Sequence, residues 1–270
     1  MKKKIKYVLV ILMFLCVFLT GCSKLSVVQE YVYNDSNYGI GNKAFNDEIE
    51  TIEIDWIVGN INIIQSTNHE LIIREEIDLE IDDKYKMHYK LDENKLDIKF
   101  SASTNFLNYN FKTKNLYVFL PTVINKVKIN NVSADIKINY VNIQNLEIEN
   151  ISGDIEVYNC KISDLEINNI SGEMIIFDDE VEIIDIESIS GNIGLNLITL
   201  AQKLDIETTS ASLTLYINEY DEFSIEFKSI SGTLKSNLKY NIEGRVYIFN
   251  NGTLKYQVET ISGKTKVIGK

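Results

Sequence analysis

Alternation of apolar and charged residues is the main pattern of this chain from about residue 50 to its end. In residues 146–157, LEIENISGDIEV, apolar residues occupy every second position on both sides of a short Ile-Ser-Gly segment, and acidic residues fill most positions between them. A period of two places apolar side chains on one face of a β-strand and polar side chains on the other. The segment therefore predicts two short strands joined by a corner, each with one face in a core.

This unit recurs along the chain. Related segments occupy residues 127–138, 165–176, 184–195, 204–215, 225–234 and 256–267, and a more distant copy at residues 52–63 has Val58 in place of the corner serine. A fixed period of this size is typical of a solenoid, in which each repeat needs stacked neighbours to bury its apolar face. The corner serines are at positions 133, 152, 171, 190, 210, 231 and 262, so that successive steps are 19, 19, 19, 20, 21 and 31 residues.

We therefore predict an all-β fold: a single-domain parallel β-solenoid, similar to a β-helix, with repeats of about 19–21 residues and a less regular N-terminal cap. A corner glycine such as Gly153 permits backbone angles that other residues avoid, and the corner serines are expected to form a hydroxyl ladder along the stack. Residues 116–120, just before Pro121, are expected to begin the regular stack. An antiparallel meander or sandwich of the same strands is the alternative.

The first residues of the chain have the composition of an export signal. Four lysines precede or border an apolar stretch at residues 8–19, which is shorter than a membrane-spanning helix requires. The following Leu19-Thr20-Gly21-Cys22 resembles the lipobox of bacterial lipoproteins. That resemblance implies cleavage before Cys22, acylation of this cysteine, and a protein held by lipid on the extracytoplasmic face of the cell membrane. An uncleaved N-terminal anchor is the alternative.

These features divide the chain into three parts. Residues 1–21 are predicted to be a lipoprotein signal peptide, residues 22–50 a lipidated tether, and residues 51–270 the β-solenoid repeat domain. The tether is polar and contains Gly39 and Gly41, and such a composition is typical of flexible linkers.

The repeat region also resembles a known family. The run LYVFLP at residues 116–121, the serial Ile-Ser-Gly motifs and the closing ETISGK at residues 259–264 are similar to the bacterial DUF4097 family of adhesin-like envelope proteins. The resemblance spans roughly residues 50–270. It implies a non-enzymatic role at the cell surface, in adhesion or in envelope stress, and it brings no catalytic residues with it.

Candidate catalytic and metal-binding residues are few. His69 and His88 lie outside the repeats and far in sequence from Cys160, so we expect neither a Cys-His pair nor a two-histidine metal site. Cys160 lies in the connection after a repeat, where Asp179 stands in the next one, and Trp56 fits a core or cap position. No phosphate-binding glycine loop or zinc motif occurs in the sequence. We expect no enzymatic activity, no cofactor and no metal.

One outward position in the first strand is acidic in five repeats in succession, and we call the column that these residues would form the acidic stripe. Stacked in register, its carboxylates would repel one another and attract a cation or a basic group. We expect a cationic peptide, a divalent cation or a basic envelope protein as the partner; the alternative is a solvated face that only keeps the protein soluble. The acidic stripe consists of Glu147, Glu166, Asp185, Asp205 and Glu226.

The overall charge agrees with a basic partner. The net charge of the chain is −12, and it becomes four units more negative without the signal lysines. Such a charge argues against nucleic acid or anionic lipid as a partner of the exported part.

Three classes of function stay open. The first is a non-catalytic surface module for adhesion or envelope-stress signalling. The second is a polysaccharide lyase or hydrolase on a β-solenoid, but the chain has only two arginines, Arg74 and Arg245, for a substrate cleft. The third is a solute-binding lipoprotein, a class that normally needs two α/β lobes, and no alternation of strands and helices is present. The sequence favours the first class.

Overall fold

The computed structural model describes residues 33–68, 70–103 and 114–270 of the chain. The predicted signal peptide, Cys22 and His69 lie outside the described residues. The elements below belong to the compact unit Asn34–Lys270. Its described part contains β-strands and two single-turn 3-10 helices, Asp35–Asn37 and Asp83–Tyr85, and no helix in it has the length and hydropathy to cross a membrane.

The strands are short at both ends of the stack and longest where the chain bends around a corner within one strand. In chain order they are β1 (Gly39–Ile40), β2 (Lys43–Phe45), β3 (Thr51–Gln65), β4 (Leu71–Ile77), β5 (His88–Asp92), β6 (Lys95–Lys99), β7 (Lys114–Leu120), β8 (Ile124–Asn139), β9 (Asn142–Asn150), β10 (Ile155–Tyr158), β11 (Lys161–Asn169), β12 (Met174–Ser188), β13 (Asn192–Leu197), β14 (Lys203–Thr208), β15 (Ser212–Ile217), β16 (Phe223–Ser229), β17 (Thr233–Ser236), β18 (Asn241–Glu243), β19 (Val246–Phe249), β20 (Leu254–Thr260) and β21 (Lys264–Gly269).

These strands form two ladders along the stack, which we call sheet 1 and sheet 2. The order in sheet 1 is β1, β5, β6, the start of β3, the start of β8, β9, β11, the end of β12, β14, β20, β16, β19 and β18. The order in sheet 2 is β2, β4, β7, the end of β3, the end of β8, β10, the start of β12, β13, β15, β21 and β17. Pairing is parallel from β6 and β7 to β16 and β17. The predicted parallel β-solenoid is confirmed, and the antiparallel alternative is wrong.

The alternation of apolar and polar residues sets the register of these ladders. Leu146 and Ile148 in β9 are buried, as are Ile155 and Val157 in β10. Each lies opposite an apolar residue of the next coil, so the apolar side chains form columns within one continuous core. A slip of one residue would expose every member of a column, because side chains alternate between the two faces of a strand. Because the step between these repeats is 19 residues, each buried position lies opposite the equivalent position of the next coil.

The corner glycines are required for two different reasons. Gly153 has a φ of 105°, and a Cβ built on it would lie 2.1 Å from the carbonyl oxygen of Ala134 in the neighbouring coil. Gly263 has no such φ, yet its Cβ would lie 2.0 Å from the carbonyl oxygen of Ala211. Close approach of two backbones therefore excludes a side chain at both positions, and backbone conformation adds to this at Gly153. The corners at Ala134 and Ala211 turn without a positive φ, which is why they accept alanine.

Residues 39–45 belong to the folded unit, although the sequence predicts a tether over residues 22–50. Strand β1 pairs with β5, and β2 pairs with β4. Phe45 is buried and contacts the ring of Tyr89 edge-on, with ring centroids 5.5 Å apart. The tether prediction is wrong for these residues, because strands of two and three residues are too short to show a period. Short edge strands also leave little unpaired backbone at this end of the solenoid.

The regular stack begins earlier than the sequence predicts. Strand β3, the distant copy of the repeat, pairs with β8 along nearly its whole length, and Val58 lies opposite Ser133. Residues 116–120, which were expected to begin the stack, lie instead in sheet 2 between β3 and the antiparallel β4. The less regular cap therefore consists of β1, β2, β4, β7 and the β5–β6 hairpin, and it covers β3.

The cap closes over Trp56, which is buried in the slot opposite Asn131. The indole Nε1–H of Trp56 donates to the carbonyl oxygen of Lys114 at 3.3 Å, and the Phe100 ring packs edge-on against the indole at 5.0 Å. The Lys114 side chain is fully buried, and its Nζ lies 2.7 Å from Oε1 of Glu75. Burial lowers the pKa of Lys114 to about 8, although Glu75 acts in the opposite direction.

The last coil of the chain does not lie at the end of the stack. Strand β20 pairs with β14 on one side and with β16 on the other, and β21 pairs with both β15 and β17. The chain thus passes over one coil position after β15, forms β16 and β17, and returns through the antiparallel strands β18 and β19 to fill the gap. The long step between Ser231 and Ser262 accommodates this excursion.

Candidate interaction surface

The first four residues of the acidic stripe form an unbroken column on the outer surface of sheet 1. Glu147 lies opposite Glu166, which in turn lies opposite Asp185. Asp185 lies opposite Asp205. Adjacent strands are about 4.8 Å apart, so the parallel register places each carboxylate one strand spacing from the next. Glu166 is exposed and the other three are partly exposed, so the column faces solvent.

The fifth residue, Glu226, does not continue this column directly. Gln257 lies opposite Asp205 on one side and opposite Glu226 on the other. The expectation that Glu226 directly follows Asp205 is wrong, because the last coil is inserted between the coils that contain these two residues. Repeat order in the sequence therefore differs from coil order in the stack at this end.

Two lysines border the acidic stripe at its N-terminal end. Lys126 Nζ lies 2.8 Å from Oε2 of Glu147, and Lys128 Nζ lies 2.7 Å from Oε1 of the same carboxylate. Partial burial of Glu147 favours its neutral form, but the hydrogen bonds from the two lysines outweigh burial and hold its pKa below the usual value. The first member of the stripe is therefore a paired carboxylate.

Lysine also borders the other end of the stripe. Lys228 Nζ lies 3.7 Å from Oε1 of Glu226 and 2.6 Å from Oε1 of Glu259. Lys203 approaches Asp185 at 3.7 Å, and both side chains of that pair are well exposed. Exposed pairs of this kind contribute at most about 1 kcal/mol. The middle of the stripe is thus less strongly neutralised than its first member.

A second outward column lies two residues further along each strand of sheet 1. Its register follows that of the acidic stripe, and Lys128 and Lys228 pair with its two terminal carboxylates. The outer surface of sheet 1 is therefore acidic over several consecutive coils. No group of three or more His, Cys, Asp or Glu side chains in the described ranges is placed to hold a metal ion. The second column consists of Glu149, Asn168, Glu187, Glu207 and Glu259.

The corner serines have a structural function in the stack. The Oγ–H of Ser152 donates to the carbonyl oxygen of Val132 at 3.1 Å, and that of Ser171 donates to Ile151 at 3.2 Å. The other corner serines make the equivalent bond to the neighbouring coil. The predicted hydroxyl ladder is therefore a ladder of hydroxyl-to-carbonyl bonds, because each hydroxyl reaches the backbone of the adjacent coil.

An asparagine ladder, which sequence reasoning did not find, runs through the same corners. Asn131 Nδ2 donates to Oδ1 of Asn150 at 2.7 Å, and Asn150 Nδ2 donates to Oδ1 of Asn169 at 2.8 Å. The three side chains are buried, and Asn150 Nδ2 also donates to the carbonyl oxygen of Gly153 at 2.9 Å. Ser188 continues the ladder in the next coil. The signal in the sequence was an asparagine two residues before each of three serines.

Repeated coils, corner serines and their register agree with one family in particular. The profile of the Toastrack DUF4097 family matches residues 49–182 and again residues 124–268. The chain belongs to the DUF4097 family. No curated protein matches it in sequence.

Several solved structures match the chain at low sequence identity. A putative adhesin from Bacteroides fragilis is 15% identical and covers 86% of this chain and 97% of its own, with a TM-score of 0.43. A putative lipid binding protein from Parabacteroides distasonis is 16% identical over 86% of this chain and 97% of its own, with a TM-score of 0.47. A putative adhesin from Parabacteroides merdae is 14% identical over 89% and 99%, with a TM-score of 0.43.

Cys160 of this DUF4097 domain is buried, and its thiol contacts backbone carbonyls. Burial raises the pKa of the Cys160 thiol to about 12, so the thiolate that nucleophilic chemistry needs is disfavoured. Oδ1 of Asp179, one coil further along, accepts the backbone N–H of Cys160. Asp179 is fully buried, and burial raises its pKa to about 7. The two residues are therefore a structural contact between coils.

His88 lies in the cap, far from Cys160 along the stack. It begins β5, and its buried ring forms a 2.9 Å hydrogen bond through Nδ1 with the carbonyl oxygen of Lys86. Strand β5 pairs with β1 and β6, whereas Cys160 lies between β10 and β11. The structure therefore does not bring these two residues together.

Proposed function

We propose that this DUF4097 protein is a non-catalytic, lipid-anchored module on the extracytoplasmic face of the cell membrane, which contacts a basic partner through the acidic stripe. The observation that carries the proposal is the unbroken register of Glu147, Glu166, Asp185 and Asp205 on an outer face. Four carboxylates one strand spacing apart repel each other, and a basic ligand relieves that repulsion. A basic envelope protein, a cationic peptide or a divalent cation has the required charge.

The lack of a catalytic arrangement among the titratable groups described above supports the non-catalytic part of the proposal. Cys160 is buried with a raised pKa, and the corner serines donate to backbone carbonyls. A general base or nucleophile needs an accessible partner within hydrogen-bond reach. We therefore assign the serines that recur at the corners of this chain to stacking of the coils.

Binding of basic ligands tests the acidic stripe. The triple variant Glu166→Gln, Asp185→Asn, Asp205→Asn removes three adjacent charges, and the control variant Glu48→Gln, Glu80→Gln, Glu219→Gln removes three exposed charges elsewhere. We expect the full-length wild type and the control to bind an oligolysine peptide or Ca²⁺ alike, and the stripe variant to bind about tenfold more weakly. Equal binding by all three proteins would end the proposal for the stripe.

Cell fractionation tests the anchor separately. The wild type is expected to be in the membrane fraction and to incorporate radiolabelled palmitate, because Cys22 follows a lipobox-like sequence. The Cys22→Ala variant should lose the label. Label retained in that variant would show that another residue is acylated or that the anchor is of a different kind.

A further inference from the structure

A row of aliphatic side chains lies on the outside of the Ile-Ser-Gly corners. The residue before each corner serine is outward-facing, between the buried ladder slot and the serine, and it is aliphatic in nearly every coil. Four members are exposed: Val132 by 43%, Ile151 by 41%, Ile261 by 49% and Ile230 by 83%. We call this row the isoleucine ridge. In stack order it consists of Val132, Ile151, Ile170, Ile189, Ile261 and Ile230.

Backbone hydrogen bonds hold the ridge residues in register. The N–H of Ser152 donates to the carbonyl oxygen of Val132 at 2.9 Å, and that of Ser171 donates to Ile151 at 3.1 Å. The same bond recurs up to Ser231, whose N–H donates to Ile261 at 2.9 Å. Adjacent members therefore lie about 4.8 Å apart, and the ridge is about 30 Å long.

Stacking of the coils does not require these side chains to be aliphatic. Thr209 occupies the ridge position between Ile189 and Ile261, and its corner makes the same backbone and serine bonds as the others. A polar β-branched residue therefore fits the corner. Exposed aliphatic residues are common singly, but a contiguous row of them marks a contact surface.

Carboxylates lie on both sides of the isoleucine ridge in its first half, and beyond Ile170 the sheet 2 side continues with uncharged residues and Lys264. On the sheet 1 side lies the second column, with Glu149 two residues before Ile151 and Glu187 two residues before Ile189. On the sheet 2 side lie exposed Asp135, Asp154 and Glu173. Asp135 and Asp154 each accept a backbone N–H from the next coil, at 3.0 and 2.8 Å, which fixes the position of their charges beside the corner.

This charge distribution decides what the ridge can bind. A second copy of the chain in the antiparallel orientation would place the acidic sheet 1 flank against itself, and in the parallel orientation it would place Glu149 against Asp154. An anionic lipid surface is repelled for the same reason. A segment with an apolar row bordered by lysine or arginine complements both features at once.

We propose that the isoleucine ridge binds a cationic amphipathic segment of a partner protein. Apolar side chains of the segment cover the ridge, and its basic side chains lie against the flanking carboxylates. The inference rests on the proposed function, because it assigns the basic partner of the acidic face to one class of macromolecule, and it adds an apolar contact that the acidic stripe alone does not provide.

The test uses the full-length protein in zwitterionic lipid nanodiscs, with empty nanodiscs as the blank. The probe is a fluorescent peptide of alternating leucine and lysine, and its matched control has glutamine in place of leucine. Fluorescence anisotropy is expected to give about tenfold tighter binding of the leucine peptide, since burial of a few leucine side chains provides the difference.

Three variants locate the binding. Ile151→Thr, Ile170→Thr, Ile189→Thr removes the middle of the ridge by a change that Thr209 shows to be compatible with the corner. Its control is Val123→Thr, Ile198→Thr, Ile242→Thr, at exposed aliphatic positions elsewhere. The ridge variant should lose about tenfold in affinity for the leucine peptide, and its control should bind as the wild type does.

The third variant, Glu149→Gln, Glu187→Gln, Glu207→Gln, should weaken the binding of both peptides and flatten its salt dependence. Unchanged binding by the ridge variant, together with loss in the glutamine variant, would overturn the inference but leave the acidic face as a binding surface. Unchanged binding by both variants would overturn the inference, whereas the proposed function fails only if the stripe variant Glu166→Gln, Asp185→Asn, Asp205→Asn also binds the peptides as the wild type does. A wild-type dimer that the ridge variant does not form would assign the ridge to a second copy instead, contrary to the inference.

Discussion

The central coils and the cap fill the same corner slot in different ways. In the coils of β8, β9 and β11 the slot holds Asn131, Asn150 and Asn169; the first two each donate to the amide of the next coil, and Asn169 donates to the Ser188 hydroxyl. In the coil of β3 the slot holds Trp56, which bonds to the Lys114 backbone and packs on Phe100. The slot has the same position in both kinds of coil, but its occupant differs, and so does the structure that lies next to that occupant.

The difference follows from what lies on either side of each coil. A central coil has an identical corner above and below it, so one neutral polar residue, repeated, provides its own partner. The coil of β3 has such a corner on one side only. On its other side the chain takes a path that does not repeat, and a buried aromatic residue above the Lys114–Glu75 ion pair closes the core there.

The largest expected effect is at this ion pair. Lys114→Met leaves the Glu75 carboxylate buried without its cation and should lower the free energy of unfolding by about 3–5 kcal/mol. Urea denaturation at pH 7 measures the change. The double variant Lys114→Met, Glu75→Gln removes both charges and should recover most of the loss. Equal destabilisation of the single and double variants would show that the charge of Glu75 is not the cause.

A central corner should be nearly as sensitive, but to backbone geometry. Gly153→Ala places a Cβ 2.1 Å from the Ala134 carbonyl oxygen at a φ of 105°, and should lower the free energy of unfolding by about 2–4 kcal/mol. The matched change Ala211→Gly, at the same position of another coil, should alter it by less than about 1 kcal/mol. Similar losses of stability in both variants would contradict the conclusion that the Gly153 corner excludes a side chain whereas the Ala211 corner accepts one.

The asparagine ladder distinguishes the central coils most directly from the cap. Asn150→Ala removes the ladder bonds to both Asn131 and Asn169 and leaves the buried Oδ1 of Asn169 without the donor it has in the ladder, so it should lower the free energy of unfolding by about 2–3 kcal/mol. Asn150→Ser, which resembles the natural Ser188 in this slot, should lower it by about 1 kcal/mol. Chemical denaturation ranks the two variants. An alanine variant as stable as the wild type would show that the asparagine ladder does not stabilise the stack.

Asp179 is a buried carboxylate in the central coils, and its Oδ2 has no hydrogen-bond partner among the described residues. Since its pKa is raised to about 7, the folded protein keeps a proton that the unfolded chain loses near pH 4. The stability of the wild type should therefore fall as the pH rises from about 4 to about 7 through this group.

Asp179→Asn keeps the acceptor for the Cys160 N–H and removes the titration. It should raise the free energy of unfolding by about 1–3 kcal/mol at pH 8, and the gain should shrink toward pH 4. Urea midpoints of both proteins across this range measure it, with Asp164→Asn, at an exposed carboxylate, as the control. A gain that does not vary with pH would contradict the raised pKa.

The repeat predicted the central coils because their contacts repeat with it. The register of Glu147, Glu166 and Asp185 follows directly from the 19-residue step and the alternation of each strand. The position of Glu226 did not follow, because the insertion of β20 depends on where the chain returns, which no local pattern encodes. The short strands of residues 39–45 were missed for a related reason, since their partners are distant in sequence.

The side-chain ladders lie between these two cases. Asparagine at three corners was visible in the sequence, but burial of an amide is unfavourable unless it is bonded, and the bonds depend on the stacking distance. The exposed aliphatic residue that follows each asparagine, such as Ile151, belongs to the Ile-Ser-Gly motif, and the sequence does not distinguish it from the buried residues of the repeat. Only its exposure in the folded protein, with acids on both flanks, separates it from the core residues of the same strand.

The most direct test of the account is crosslinking in cells of the intact protein, followed by mass spectrometry of the proteins joined to it. We expect one or a few envelope proteins with a basic surface to be enriched with the wild type, and to be lost with the stripe variant Glu166→Gln, Asp185→Asn, Asp205→Asn and with Cys22→Ala. Recovery of the same proteins from the stripe variant would contradict the claim that the acidic face is the contact surface.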